Sequence, residues 1–464
     1  MSAFPARARQ RPPDALGVLG AAAIAAVAVM IGAAIAIALY RVPPSWFLVA
    51  VVGFGLLGTL ALAVARLEAA VALGFLIFGV VAIEPAPTDG VFAVVIAVAL
   101  VTGRFDLSRV PLAAGGLLGL YVALNLLSAV EAVDPEVAGR FLAITLYLAV
   151  FSVWFTAYLD SERRARAVVR AYVGPAAVFG IVASLALFVP FPGAGAFLGV
   201  GEARAQGLFE DPNVFAPFLI PAALILLEEI LNPRLLRSGR ALKWLMFLGL
   251  AAGVLFSYSR AAWANLVVGL LVLFVILALR RGGGRKAVAL LLLVVVAGAT
   301  AVGAIAVTGS IDFLHERAQF QAYDVERFGA QRTGIALAEQ YPFGIGPGQF
   351  DVLVDVSAHS TYVRTLAEQG FLGLVTLIAL FLATLVFAAR NAVLGRDSYG
   401  IGSAALLAAW VGILANSFVV DTVHWRHLWF VAALIWVGAM RPAPPGPAYG
   451  DGSGSRTVPG RLAR

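Results

Sequence analysis

Apolar runs close to 20 residues long recur from near the N-terminus to residue 440, separated by short polar segments. A helix rises about 1.5 Å per residue, so a bilayer core of about 30 Å asks for about 20 apolar residues at a stretch. About 14 runs meet that pattern, the first at 15–40 and the last at 425–440. The run at 91–102 is short, and a count of about 12 also fits. Composition agrees: 61% of residues are hydrophobic and 13% charged, against about 25% charged in a soluble domain. The chain therefore reads as all-α, a polytopic transmembrane helical bundle of about 12–14 spans with one large extracytoplasmic loop.

Loop charge gives the bundle a direction, because Arg and Lys gather in cytoplasmic loops. With the N-terminus inside, "GRFDLSR", "DSERRARAVVR", "NPRLLRSGRALK", "RRGGGRK" and "RNAVLGRD" all fall on the inner side. The expected organisation is a cytoplasmic segment at 1–14 and transmembrane helices over 15–308. A large outer loop with short helices follows at 309–358, then C-terminal transmembrane helices over 359–440 and a disordered cytoplasmic tail at 441–464. The run at 15–40 exceeds the about 7–15 residues of a signal-peptide core and reads as an uncleaved first span. The net charge of +7 is scattered over short loops and forms no single patch, which argues against a nucleic-acid partner. The absence of cysteine removes disulfides, thiolate metal sites and a cysteine nucleophile.

Segment 309–358 is far longer than a helix connection needs. It holds seven acidic residues and three arginines. "VERFGAQRTGIALAEQ" has helical character. "YPFGIGPGQF" reads as a turn that folds the loop back to the membrane; no strand precedes it, so a dinucleotide loop is disfavoured. "EDPNVF" reads as an N-cap, Asp211, followed by Pro212 in the first helical position.

Outer arginines are the exceptions to the charge pattern. Arg204 lies in "GEARAQGLFEDPN", Arg260 in the tight hairpin "FSYSRAAW", Arg327 and Arg332 in the long loop, and Arg364 just after His359. The guanidinium fork suits phosphate oxygens, so arginines converging on an outer pocket would suit a pyrophosphate. The alternative for each is interfacial snorkelling or pairing with an outer carboxylate. His359 is one of only four histidines and stands where a polar run turns into a helix. Residues 371–389 are nearly long enough to span alone, so 359–370 must project above the bilayer or line a wet cavity. Arg364 and Glu368 are four apart and can pair on one helix face. His359 is then a candidate general base, or else a helix-capping residue. His424 and His427, beside Trp425 and Trp429, read as an interfacial aromatic belt. The outer face shows no closely spaced Asp pair suited to a divalent ion, so no metal site is expected.

"AHSTYVRTLAEQGFLGLV" resembles the His-x-x-Tyr-Leu…Glu-x-Gly-x-x-Gly signature of the O-antigen ligase and polymerase superfamily, with Ser360 where Asn is common and Val363 in place of Leu. "RAQGLFEDPNVFA", "SYSRAAW" and "RFGAQRTGIALAEQYPFGIGPGQF" resemble three further segments of that family, in the family's order; Gln331 stands near the place of its usual Trp. The resemblance covers about 200–440. It implies a metal-independent, cofactor-free glycosyltransferase of the bacterial inner membrane with a periplasmic active site. Its donor would be a glycan on undecaprenyl pyrophosphate, and its acceptor a glycan, a lipid core or a protein. By matching motif, His359 would be the base, Arg204 and Arg260 would hold the pyrophosphate, and Arg327 would join them. Arg332, Arg364 and Glu368 would support the site.

Three functions remain open on the sequence. A ligase moves a whole glycan to another acceptor; a polymerase moves it to a further lipid-linked repeat. A transporter or flippase would place ionisable groups near the bilayer midplane. Here the mid-span polar residues are mostly neutral, such as Asn125, Asn265 and Asn416, which favours glycosyltransfer.

Overall fold

A computed structural model describes residues 44–82, 85–199, 204–280, isolated positions between 284 and 303, and 322–442. The expected first span, most of the run at 287–308, the start of the long loop and the tail from 443 lie outside these residues. The structure is 75% helical, and the described residues contain no strand.

The helices are α1 (Pro44–Ala65), α2 (Leu67–Leu76), α3 (Pro87–Val101), α4 (Leu112–Ser128), α5 (Pro135–Tyr158), α6 (Glu162–Ala186) and α7 (Pro212–Leu231). They continue as α8 (Arg240–Phe256), α9 (Arg260–Leu279), α10 (Ala322–Gln340), the short α11 (Phe350–Leu353), α12 (Thr361–Leu394), α13 (Ser403–Asn416) and α14 (Arg426–Ala439). Every other expected apolar run contains one of them. Six are long and apolar enough to cross a membrane: α4 with its extension to Glu131, α5, α6, α7, α9 and α12. Several of the rest are shorter apolar helices of 10–17 residues.

Helix starts follow the expected chemistry. Asp134 and Asp211 cap α5 and α7, each with Pro in the first helical position, and Asp211 accepts from the Asn213 N–H at 2.8 Å. Serines cap α6, α9 and α12 through Ser161, Ser259 and Ser360. Each oxygen takes up a backbone donor that the first helical turn leaves without an intrahelical partner. Helices α7 and α14 are buried along almost their whole length, whereas α4 and α9 keep large apolar side chains such as Leu126 and Leu271 exposed. The first two form the centre; the outer faces suit lipid.

Polar links sort the bundle into two ends. At one end, Arg109 and Arg164 pair with Asp160, Arg280 with Glu228, and Arg234 with Asp397. At the other, Arg426 forks onto Asp89, Gln349 pairs with the Asp134 backbone, and Arg204 reaches the loop before α9. His359, Arg204, Arg260 and Arg327 all belong to the second end, away from the densest basic loops.

Helix α12 is broken at Gly370, whose φ of 69° and ψ of −171° are not helical. The glycine turn of 344–348 docks on that break. The Ile345 and Gly346 N–H groups donate to the Ala367 and Glu368 carbonyls at 2.9 and 3.0 Å. Those carbonyls have lost their helical partners, so the turn replaces them. A Cβ at Gly370 would stand 2.1 Å from the Pro342 oxygen, and one at Gly344 would stand 2.2 Å from the Glu368 oxygen. Both positions require glycine, by closeness of approach and by positive φ. Residues 361–369 thus form a separate short helix above the long apolar segment from 371, where the expected polar stretch lies.

Candidate active site

The backbone at His359 is in the left-handed region, with φ at 44°. A non-glycine residue held there carries strain of about 1–3 kcal/mol, which the surroundings must over-determine. They do so on the helix side. Ser360 caps α12, the Thr361 N–H donates to the Ser417 oxygen at 3.0 Å, and the Thr361 hydroxyl donates to the Val420 oxygen at 3.2 Å. On the other side Ala358 is fully buried. The imidazole itself stays half-buried rather than sealed in the core.

Charge around His359 comes from both flanks. Burial lowers its pKa below the ordinary value of 6.5, and Arg327 and Arg364 push the same way. Asp211 and Asp351 oppose them. The net direction keeps the ring neutral near pH 7, with a lone pair available for a proton. Asp211, read from the sequence only as a cap, is thus also one of the charges felt at His359.

Of the three arginines expected at a pyrophosphate, Arg327 is the one whose charge acts on His359. Arg204 is buried, and its Nε donates to the Ser257 oxygen at 2.7 Å while Nη2 donates to Asn213 Oδ1 at 3.2 Å. It thereby ties the loop before α7 to the hairpin before α9. Arg260 is half-buried as the first residue of α9. Arg327, on α10, donates to the Val419 oxygen at 2.8 Å, in the same 417–422 loop that holds Thr361. Arg332 lies exposed on α10, with no ion pair or hydrogen bond among the described residues.

Arg364 differs in kind. It is buried and bonds Asp351, with Ser357 Oγ at 3.2 Å and Asp421 Oδ2 at 3.2 Å. Its Nε is 3.8 Å from Glu368, so the expected pairing four residues apart is long and secondary. Glu368 accepts instead from the Phe350 N–H at 3.4 Å. The pair locks α12 to the outer loop and to the 421 loop rather than offering a charge to a ligand.

The segment "DTVHWRH" carries the residues that sequence reasoning missed. Trp425 and Trp429 are buried within protein, not arrayed as a surface belt, and His427 is buried with them. His424 packs edge-on against Phe141 and lies 3.1 Å from Thr145 Oγ1. It lines a cavity of about 290 Å³ together with Arg140, Asp211, Arg364, Asp421 and Arg426. Two histidines, an aspartate and an arginine within seven residues between apolar runs were a signal of a polar pocket; the flanking tryptophans obscured it. Among the described residues no group of three His, Asp or Glu side chains could hold a metal ion.

Residues 245–378 match the family model described as O-antigen ligase. The match runs from α8 through the break in α12 and includes Arg260, Arg327 and His359, while Arg204 precedes it. It supports the O-antigen ligase superfamily resemblance read from the sequence. No curated protein matches the chain.

Proposed function

We propose that the chain is a membrane glycosyltransferase of the O-antigen ligase type, moving a glycan from undecaprenyl pyrophosphate to an acceptor hydroxyl at the periplasmic face. The observation that supports this reading is the held, half-buried His359, at the end of the bundle away from the densest basic loops and within the stretch that matches the O-antigen ligase model. Polymerisation of lipid-linked repeats uses the same chemistry and remains the alternative.

In the proposed step the acceptor hydroxyl gives its proton to the His359 imidazole as its oxygen attacks the anomeric carbon. The bond from that carbon to the pyrophosphate oxygen breaks, and the electron pair leaves with undecaprenyl pyrophosphate. Arg204, Arg260 and Arg327 would stabilise the charge developing on the leaving group, as fixed donors in a partly desolvated site do. The imidazolium formed would be stabilised by Asp211. No metal enters this scheme.

The pH profile tests the base. The essential form is unprotonated, so kcat/KM should fall as pH drops through the free-enzyme pKa. That acidic limb should lie below the ordinary histidine value of 6.5, leaving activity level through neutrality. Run with EDTA throughout, the assay should still show turnover. A limb above that value counts against the assigned base, and rescue by magnesium after loss to EDTA counts against metal independence.

Orientation has its own test, helped by the absence of cysteine. Glu339→Cys on α10 should react with a membrane-impermeant maleimide in intact cells, and Arg237→Cys in the basic loop only after permeabilisation. The reverse pattern would put the site on the wrong face for a periplasmic donor.

A further inference from the structure

Among the described residues, three that are not glycine hold a positive φ: Tyr258 at 51°, His359 at 44° and Tyr399 at 51°. Tyr399 stands beside Gly400, near the Asp397 that pairs with Arg234 at the basic end of the bundle. The other two share a different setting. Each immediately precedes a capping serine, Ser259 for α9 and Ser360 for α12. His359 carries the proposed base, whereas Tyr258 has no part in the scheme so far.

Helix α8 ends at Phe256 with Ser257 as its cap, so Tyr258 occupies the position where a left-handed residue, ordinarily glycine, closes a helix. Its N–H donates to the Leu255 oxygen at 3.2 Å. Glycine would adopt this backbone without strain, and a bulky side chain there is costly. The tyrosine is nonetheless buried, at 5% exposure, with its ring edge-on to Phe256 and Trp263 at centroid separations of 6.5 and 6.4 Å. Trp263 is fastened back to α8, its Nε1 donating to the Val254 and Leu255 oxygens at 3.2 Å. The ring thus stands between the last residue of α8 and the first turn of α9.

This turn serves two arginines. The Phe256 oxygen accepts from the Ala205 N–H at 2.8 Å, and the Ser257 oxygen accepts from Arg204 Nε at 2.7 Å. The planar peptide that carries the Ser257 oxygen ends at the nitrogen of Tyr258, so φ at 258 fixes its tilt against the rest of the turn. On the far side the Ser259 N–H donates to Ser257 Oγ at 3.2 Å, and Arg260 opens α9. One residue therefore relates the carbonyl that orients Arg204 to the helix start that carries Arg260. Glycine would allow the same turn but also others, since it populates both signs of φ. A ring held between α8 and α9 removes that freedom.

We propose that Tyr258 is a positioning residue, whose ring wedges the turn between α8 and α9 and so holds Arg204 and Arg260 in one fixed arrangement toward a diphosphate. The inference rests on the role proposed above for those two arginines.

Binding of undecaprenyl pyrophosphate to full-length protein in lipid nanodiscs, read by native mass spectrometry on the folded fraction, tests it. Tyr258→Phe keeps the wedge and should bind like wild type. Tyr258→Gly and Tyr258→Asn both tolerate the left-handed backbone but lack the ring. Each should bind about ten- to a hundredfold more weakly, the scale of one charge-assisted hydrogen bond. Wild-type affinity in the folded Gly and Asn variants overturns the proposal, because the ring would then only pack. A loss in Tyr258→Phe equal to theirs also overturns it, because the hydroxyl would then be the acting group. Failure of the underlying reading looks different: Arg204→Ala and Arg260→Ala would themselves leave binding unchanged.

Discussion

His359→Ala is expected to lower glycan transfer by about 10²–10⁴-fold, the usual loss on removing a general base, while undecaprenyl pyrophosphate still binds. The strained backbone at φ 44° complicates a single substitution, because alanine removes the imidazole without relieving the strain. Asn tolerates the left-handed region better than most residues and cannot accept the proton at neutral pH, so His359→Asn isolates the chemistry. Both variants should be folded and equally impaired. Arg204→Ala and Arg260→Ala should differ by weakening donor affinity as well as turnover, and Arg→Lys should restore only part of it, since the planar fork is lost. Normal transfer by a folded His359→Asn protein would reduce His359 to a residue that shapes the start of α12.

Much of this was legible in the sequence because the relevant signals are local. Apolar runs mark helices wherever they occur, and each described run contains one. Asp211-Pro212 announced the start of α7, and the polar stretch 359–370 announced that α12 would not be one simple span. The break at Gly370 was not legible, since it depends on the carbonyl of Pro342 standing where a Cβ would be. The same holds for the site. His359 and the arginines stood out as charge exceptions at the ends of runs. Their partners did not, because Asp421 is far along the chain from Arg364 and only tertiary packing brings it within 3.2 Å. His424 was misjudged for a related reason: tryptophans beside a histidine look alike whether they face lipid or a cavity, and only the packing of α14 against α5 decides.

Arg364→Met should cost about 3–5 kcal/mol of stability, enough to remove most folded protein, because it strips the cation from a buried ionic hub and leaves the anions behind. The argument rests on geometry. One guanidinium holds Asp351 from α11, Ser357 from the segment before His359, and Asp421 from the loop before α14, and it adjoins Glu368 one turn along its own helix. Glu368 is almost wholly buried, so water cannot replace the lost partner there. Arg364→Lys should recover part of the loss, since a point charge satisfies one or two carboxylates but cannot span all of them. Thermal unfolding and monodisperse yield in detergent would measure both. The Lys variant also separates structure from binding. Arg364 spends its donors on protein carboxylates, so Arg364→Lys should leave undecaprenyl pyrophosphate affinity close to wild type, whereas Arg204→Lys should not. A stable Arg364→Met protein would break the hub argument. A stable Arg364→Lys protein with lost donor affinity would move Arg364 from the scaffold into the pyrophosphate site.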